Sequence, residues 1–286
     1  MPPPELPANL LRRDPVQAVA ITGGKGGGGK STLSINLGVA SAAAGRRVVL
    51  LDGDLGLANA DVLLGITPRY TLADFVSGGR TLDEVLTPVR PGLSMVAGAS
   101  GVMPLADLDE AGHVGIVRAF SDLAADLDLL LVDTAAGISP GVLQLVQATQ
   151  HVLVVVCDDP ASVTDAYAVI KVLSRTHGLR HFRVVTNMTA EASGGARLFA
   201  ALQRVTNRFL DVTLEHCGDI PADDLLRRAV REQRPVVEAY PGSDAAIAIR
   251  RLATAIRSWS APEGRGNIGF FSERVARPAP RLQVVR

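Results

Sequence analysis

One glycine-rich segment of the chain has the composition and spacing of a phosphate-binding loop. Residues 23–32 read GGKGGGGKST and fit the pattern G-x-x-x-x-G-K-[S/T], with the fixed positions at Gly24, Gly29, Lys30 and Ser31. An apolar stretch, AVAIT, precedes this segment, and a stretch with helical spacing follows it. Glycines let backbone amides turn toward a phosphate, and the start of a helix adds partial positive charge. The ordered strand–loop–helix context disfavours the alternative of a merely flexible glycine turn.

The polar residues of this loop suit a nucleoside triphosphate with Mg²⁺. Lys30 is predicted to neutralise the β- and γ-phosphates, and the Ser31 hydroxyl is predicted to bind Mg²⁺. The residues predicted to contact the nucleotide are Gly24, Lys25, Gly26, Gly27, Gly28, Gly29, Lys30, Ser31 and Thr32.

Three aspartates follow apolar stretches and are candidates for the chemistry around the phosphates. Asp52 and Asp54 lie in LLDGDLG, and Asp133 ends DLLLVDT. The carboxyl end of a strand is where an open α/β sheet binds its ligands, so Asp133 is predicted to reach Mg²⁺ through water. Turn aspartates that cap the next segment are the alternative, and an apolar strand ending in Asp is common. The predicted roles of these aspartates therefore depend on the presence of the phosphate loop in the same chain.

Composition limits the kinds of protein that could carry this site. The chain has 286 residues, of which 47% are apolar, so disorder is excluded for most of its length. Lys+Arg and Asp+Glu balance at 29 each, which gives no global attraction to nucleic acid or an anionic membrane. The two cysteines, Cys157 and Cys217, lie apart in apolar stretches and indicate buried thiols in a reducing compartment. Together with the absence of a signal-peptide pattern, this predicts a cytoplasmic location.

Strand-like and helix-like stretches alternate along most of the chain. The seven strand-like stretches are VQAVAIT, RVVLLD, LSMVAGA, DLLLVDT, HVLVVVC, FRVVTN and TLEHCGDI. Their continuous hydrophobicity is typical of strands buried on both faces. The sequence therefore predicts an α/β domain with a doubly wound, mostly parallel sheet and helices on both faces. We place this domain at 16–260, between a flexible arm at 1–15 and a tail at 261–286.

The second lysine of the loop, Lys25, makes the sequence resemble the deviant-Walker ATPases of the MinD/ParA class. This resemblance implies ATP as the nucleotide and a Lys25 side chain that crosses a dimer interface to the partner's nucleotide, as an arginine finger does. It also implies that Asp54 orients the attacking water and that Asp52 supports it or the Mg²⁺ shell. Asn187 and Pro221 occupy positions that hold adenine in such relatives. From its residues alone, Asn187 is a strand-end turn residue.

Longer segments resemble the FlhG/FleN regulators of flagellar number over residues 16–245. The segments are DLGLANADVLLG, VVVCDDPASVTDAYAVIKVL, RFLDVTLEHCGDIPADDLLRRAV and VVEAYPGS. The resemblance implies a weak ATPase that switches between monomer and homodimer and antagonises a σ54-dependent flagellar activator of the FleQ type. It also implies transient contact with membrane, a location that includes the cell pole or inner membrane surface, and no specific nucleic-acid partner.

The sequence departs from this family at two loop positions and in the arm. Gly28 replaces the usual valine and Gly53 the usual alanine, so we expect a looser phosphate loop and a slightly stabilising Gly28→Val change. The arm lacks the DQA-type motif with which some relatives stimulate a flagellar GTPase, so that activity is not expected.

Three other functions stay open at this stage. A ParA- or MinD-like positioning ATPase would act on DNA or membrane, and four arginines form a local basic cluster: Arg227, Arg228, Arg231 and Arg234. An iron–sulfur carrier would need paired cysteines, which the chain lacks. The third function is that of a binding module that senses ATP without hydrolysing it.

The tail contains an adjacent pair of phenylalanines. A helix over residues 267–277 would place Ile268, Phe271 and Val275 on one face and Phe270 on the polar side. Such a helix could bind membrane, but its mixed charge and short length favour docking on its own domain, with release when ATP drives dimerisation.

Overall fold

The computed structural model describes residues 16–54, 58–98, 110–123, 127–191, 193–260 and 269–271. The strands are β1 (Gln17–Thr22), β2 (Val48–Gly53), β3 (Leu86–Arg90), β4 (Leu93–Val96), β5 (Leu129–Thr134), β6 (His151–Cys157), β7 (His181–Thr189) and β8 (Thr213–Pro221). The helices are α1 (Lys30–Ala43), α2 (Ala60–Leu64), α3 (Leu72–Val76), α4 (Leu82–Val85), α5 (Glu110–Asp122), α6 (Pro140–Gln147), α7 (Pro160–His177), α8 (Gly194–Phe209), α9 (Asp224–Arg231), α10 (Val236–Ala239) and α11 (Asp244–Ile256).

All eight strands form one sheet in the order β3-β4-β2-β5-β1-β6-β7-β8. Every neighbouring pair is parallel except β3–β4, which is antiparallel. The seven predicted strands and the mostly parallel sheet are confirmed. The sequence analysis missed β3, whose LTPVR sequence is short and contains a proline, as an edge strand allows.

Helices cover both faces of the sheet, as a doubly wound fold requires. On β1, Ala18 and Ala20 face one side, Val19 and Ile21 face the other, and all four are 0% exposed. The side of Val19 and Ile21 packs against α1, α2 and α11, whereas the opposite side packs against α3 to α8. This burial on both faces explains why the strands read as continuous apolar runs. No helix in the described part of the chain is long and apolar enough to cross a bilayer.

The two adjacent phenylalanines of the tail pack against this domain. Phe270 and Phe271 are 1% and 2% exposed, and the Phe270 ring meets the Phe120 ring edge-on at a centroid distance of 5.6 Å. The Phe270 amide donates to the Ala148 carbonyl at 2.8 Å. Docking of this pair is therefore confirmed, but an unbroken helix over 267–277 is wrong, because Phe271 has a left-handed φ of 64°. The arm at 1–15 and the rest of the tail lie outside the described residues.

Candidate functional site

The phosphate loop joins the end of β1 to the start of α1, as its motif predicts. Gly29 has a left-handed φ of 83° and precedes the first turn of the helix. A Cβ added at Gly24 would lie 2.4 Å from the Asp165 carbonyl oxygen, so only glycine lets the loop pass this close to α7. Gly26 and Gly27 are exposed at the tip of the loop. The glycines thus serve different geometric needs along one short segment.

Lys30 lies inside the loop, whose end forms the start of α1. Its side chain is largely buried, and its Nζ donates to the Lys25 carbonyl at 3.3 Å. Burial lowers the pKa of Lys30, although the nearby carboxylates of Asp133 and Asp54 act in the opposite direction. Thr32 follows in the first turn of α1 and is half-buried. A buried ammonium enclosed by a glycine loop is suited to an anionic group such as a phosphate.

Asp52 and Asp133 lie side by side on the paired strands β2 and β5. Burial raises the pKa of Asp52 to about 6 and that of Asp133 to about 7. The negative charge of Asp52 adds to the rise at Asp133, and the charge of Asp54 adds to the rise at Asp52. The Asp52 carboxylate accepts from the backbone amides of Asn59 at 3.1 Å, Ala60 at 3.0 Å and Asp54 at 3.2 Å. Asp54 is itself half-buried at the end of β2. The sheet therefore brings the three predicted carboxylates to the mouth of the phosphate loop.

The environment of Asp133 fits a bound cation. Its Oδ1 accepts from the Ser34 hydroxyl at 3.0 Å, and the Ser31 hydroxyl also donates to this carboxylate. Its Oδ2 is buried and has no hydrogen-bond partner among the described residues. A buried carboxylate oxygen without a partner is costly, and a carboxylate beside a hydroxyl is a donor set that Mg²⁺ prefers. Ser31 and Asp133 are thus placed where the sequence predicts the metal.

Lys25 forms an ion pair with Asp159 of its own chain. Asp159 precedes α7 and also caps it, since its Oδ1 accepts from the Ala161 amide at 2.8 Å. The hydrogen bond with Asp159 raises the pKa of Lys25 and lowers the pKa of Asp159. Both side chains are well exposed, at 46% and 38%, so solvent screens the pair. The sequence analysis missed Asp159, although CDDP after a strand is the same signal that selected Asp52.

Two residues from neighbouring strand ends hold the loop at Gly28. The Asn187 Nδ2 donates to the Gly28 carbonyl at 2.9 Å, and the Cys157 thiol donates to it at 3.3 Å. Cys157 is half-buried, and burial raises its pKa. Pro221, the other predicted adenine contact, ends β8 opposite Thr189 and is half-buried. Asn187 therefore reaches the loop, whereas Pro221 lies one strand further out.

The chain matches known proteins along most of its length. Residues 19–236 match the CobQ/CobB/MinD/ParA nucleotide binding domain. The antiactivator FleN of Pseudomonas aeruginosa is 51% identical over 262 residues, which cover 91% of this chain and 94% of the relative. The flagellum site-determining protein YlxH of Helicobacter pylori is 32% identical over 236 residues, or 82% and 80% of the two chains. The septum site-determining protein MinD of Pyrococcus horikoshii, solved with Mg-ADP, has a TM-score of 0.72 and 27% identity, covering 85% of this chain and 96% of the other. The chain therefore belongs to the MinD/ParA class of P-loop nucleotide-binding proteins and, within it, to the FlhG/FleN family of flagellar regulators.

Proposed function

We propose that this protein is an ATP-dependent dimerising switch with weak ATPase activity, which limits flagellar number by antagonising a σ54-dependent flagellar activator. The similarity to an antiactivator across almost the whole of both chains supports the regulatory role. The carrying observation is the pair of lysines in one loop, of which Lys30 is buried and Lys25 is exposed at its rim. Lys30 is placed to bind the chain's own nucleotide, whereas Lys25 is placed to reach the nucleotide of a second copy of the chain.

The loop and the strand ends divide the work on the nucleotide among their residues. Bound Mg-ATP supplies the phosphoanhydride bond and the charge that the site must stabilise. Lys30 and the loop amides hold the phosphates, while Ser31 and Asp133 hold the cation. Asp54, half-buried at the end of β2, orients a water at the terminal phosphate, and Asp52 supports it through the Asp54 amide. Asn187 and Pro221 form the adenine end, which requires the Asn187 amide to exchange its bond to the loop for one to the base.

Lys25 must leave Asp159 before it can act on the nucleotide of a second copy. The pair is exposed and forms within one chain, so its loss costs little and is offset when Lys25 meets a phosphate instead. In this proposal, Asp159 holds Lys25 in the monomer and releases it on dimerisation. Asp159→Asn should therefore favour the ATP-bound dimer at lower protein concentration.

Light scattering after size exclusion tests the switch with apo, ADP-bound and ATP-analogue-bound protein. We expect a dimer with the ATP analogue, and Lys25→Ala should bind nucleotide normally but stay monomeric and lose hydrolysis. Lys171→Ala, which removes the same charge from α7 away from the loop, is the matched control. If Lys25→Ala dimerises as the unchanged protein does, the role of this lysine across the interface is wrong.

A DNA-positioning ATPase is less well supported as the function. Two of the four clustered arginines are paired with carboxylates, Arg227 with Asp224 and Arg228 with Glu232. This pairing leaves a weaker basic patch than the sequence alone suggests, and nonspecific DNA binding needs many unpaired cations. We expect no ATP-dependent shift of nonspecific DNA in a gel, and a clear shift would favour the DNA function.

A cytoplasmic location, with recruitment to the pole, is part of the proposed function as a flagellar switch.

A further inference from the structure

Two bulges displace the pairing of β7 and β8 by one residue over a short segment. One extra residue on each strand marks them, Cys217 on β8 and Met188 on β7. Between the bulges, three consecutive pairs are shifted: Val185–Gly218, Thr186–Asp219 and Asn187–Ile220. Bulges beside a ligand site change the direction of nearby side chains. These two lie directly before and directly after the segment that ends in Asn187.

The shift decides which face of the sheet the Asp219 carboxylate is on. Paired residues of neighbouring strands point to the same face, and successive residues alternate. In the shifted register Asp219 pairs with Thr186. Without the bulges it would pair with Asn187, and its carboxylate would lie on the side of the Asn187 amide, which contacts the phosphate loop. The shifted register therefore keeps a negative charge away from the phosphate side of the sheet.

A cluster of three polar side chains holds this register. The Thr186 hydroxyl, which is fully buried, donates to the Asp219 Oδ1. The His216 Nε2 lies 3.0 Å from the same Asp219 oxygen and 3.3 Å from the Thr186 Oγ1. The Phe199 ring of α8 stacks on the His216 ring, with a centroid distance of 4.8 Å and an interplanar angle of 14°. We call Thr186, His216 and Asp219 the register lock.

The start of α8 closes over the register lock. A Cβ added at Gly195 would overlap the Asp219 carboxylate and would lie 2.5 Å from the Thr186 Oγ1. The φ of Gly195 is outside the left-handed region, so the close approach, and not the backbone conformation, requires glycine here. The register lock is therefore enclosed by β7, β8 and α8, on the face of the sheet away from the phosphate loop.

We propose that the register lock positions the base of the nucleotide, by fixing the two strand ends that carry Asn187 and Pro221. Asn187 directly follows Thr186, and Pro221 lies two residues beyond Asp219, so the Thr186–Asp219 bond joins the strands immediately before both groups. Recognition of a base by hydrogen bonds requires its partners to be held within about 0.5 Å. This inference rests on the proposed function, because it requires Asn187 and Pro221 to contact adenine. The lock residues touch no nucleotide themselves and act only through the backbone of the two strands.

The test measures the affinity of full-length protein for three ligands by calorimetry, each with Mg²⁺: ATP, GTP and tripolyphosphate, which has no base. Thr186→Val, which removes only the hydroxyl, and Asp219→Ala should each raise the Kd for ATP about tenfold and reduce the preference for ATP over GTP. The Kd for tripolyphosphate should stay within about twofold, because the phosphates are held by the loop between β1 and α1. Asp219→Asn keeps an oxygen that accepts from Thr186 and should change the Kd for ATP by less than about threefold. Thr213→Val makes the same change at the exposed start of β8 and is the matched control.

The outcomes separate the register lock from the proposed function. If the unchanged protein does not bind ATP, the proposed function fails. If it binds ATP no better than GTP, no base is selected and the inference is overturned, while the switch itself remains. If it prefers ATP and both variants keep that preference, only the register lock is wrong. An equal loss of affinity for ATP and tripolyphosphate would show that the cluster supports the fold in general, which also overturns the inference.

Thermal unfolding identifies any variant that does not fold. The Asp219 side chain is 34% exposed, so its removal leaves the core intact. Asp219→Ala therefore carries the test if Thr186→Val does not fold.

Discussion

Valine at position 28 is expected to destabilise this protein unless Cys157 is replaced by a smaller residue, such as alanine, at the same time. A Cβ added to Gly28 would lie 3.2 Å from the Cys157 Sγ and 3.6 Å from the Lys25 carbonyl. The backbone at Gly28 is outside the left-handed region, so its conformation alone accepts a side chain. The structure thus changes the expectation from the family comparison, which was a slight gain in stability. The cause is a contact with one neighbouring side chain.

Two opposing effects determine the magnitude. Valine removes freedom of the unfolded chain, which is worth about 0.5–1 kcal/mol. The contact at 3.2 Å is shorter than the optimum of about 3.5–4.0 Å, and overpacking typically costs about 1–3 kcal/mol. Overpacking therefore wins, and we expect Gly28→Val to lower the free energy of unfolding by about 1 kcal/mol, a fall in Tm of about 2–4 °C. In a Cys157→Ala background the Sγ is absent, and the same change should stabilise by about 0.5 kcal/mol.

The assay is a double-mutant cycle by denaturant unfolding of the unchanged protein, both single variants and the double variant. We expect a coupling energy of about 1.5 kcal/mol between the two positions. ATP affinity, measured by calorimetry, should change little, because the added side chain points at Cys157. Equal destabilisation by valine in both backgrounds would refute the contact as the cause. A clear loss of ATP binding would show that nucleotide requires a Gly28 conformation that valine cannot adopt.

Four further predictions concern the site and the tail. Lys30→Ala should abolish nucleotide binding, as measured by calorimetry. Asp54→Ala should still bind ATP and should accumulate as a dimer that light scattering detects. Rapid dissociation of that dimer would argue against a role of Asp54 in hydrolysis. Burial raises the pKa of Asp52 to about 6 from its ordinary 3.8, so the folded protein without ligand holds a proton that the unfolded chain releases between these values. The free energy of unfolding of the protein should therefore decline as the pH rises from about 4 to about 6. The Asp52→Asn variant should lack about 3 kcal/mol of that decline. If the free energy of unfolding of the variant and of the unchanged protein depended on pH in the same way, Asp52 would not be the group responsible. A chain ending at Pro262 loses the two docked phenylalanines, so its free energy of unfolding should fall by about 3–6 kcal/mol. Truncation should not change the amount of protein that pellets with liposomes, and strong ATP-dependent pelleting that disappears on truncation would instead favour a membrane-binding tail.

The parts of the fold that local chemistry determines could be predicted from the sequence. Strands buried on both faces are continuous apolar runs, so β1, β2 and β4 to β8 were recognisable without tertiary information. The edge strand β3 was not, because its half-buried LTPVR sequence lacks both the length and the continuous hydrophobicity. The aspartates at strand ends were found for the same reason as the strands, since parallel strands bring their carboxyl ends to one edge.

Contacts between distant elements could not be read from the sequence. The ion pair of Lys25 with Asp159 joins residues on different strand ends, and it depends on how closely α7 approaches the loop. The bond from Ser34 to Asp133 is similar, because a serine one turn into a helix is an ordinary residue until β5 lies beside it. Met188 is a further case, with a left-handed φ of 59° beside the loop. Residue type and motif predicted the groups of the site itself, such as Lys25 and Asp133. The residues that contact these groups, such as Asp159 and Ser34, depend on tertiary packing and could not be predicted.

The glycine run of the loop shows how a local loss of order is offset by packing. Four consecutive glycines, residues 26–29, should make the ligand-free loop loose, because each adds freedom to the unfolded chain. The Gly28 carbonyl, however, accepts from both Asn187 and Cys157, which lie at the ends of β7 and β6. Each such bond is worth about 0.5–1.5 kcal/mol, comparable to the entropy cost of one glycine. Because a side chain at position 28 would crowd Cys157, the glycine and the cysteine that braces it are one packing solution, and a change at either position should be judged together with the other.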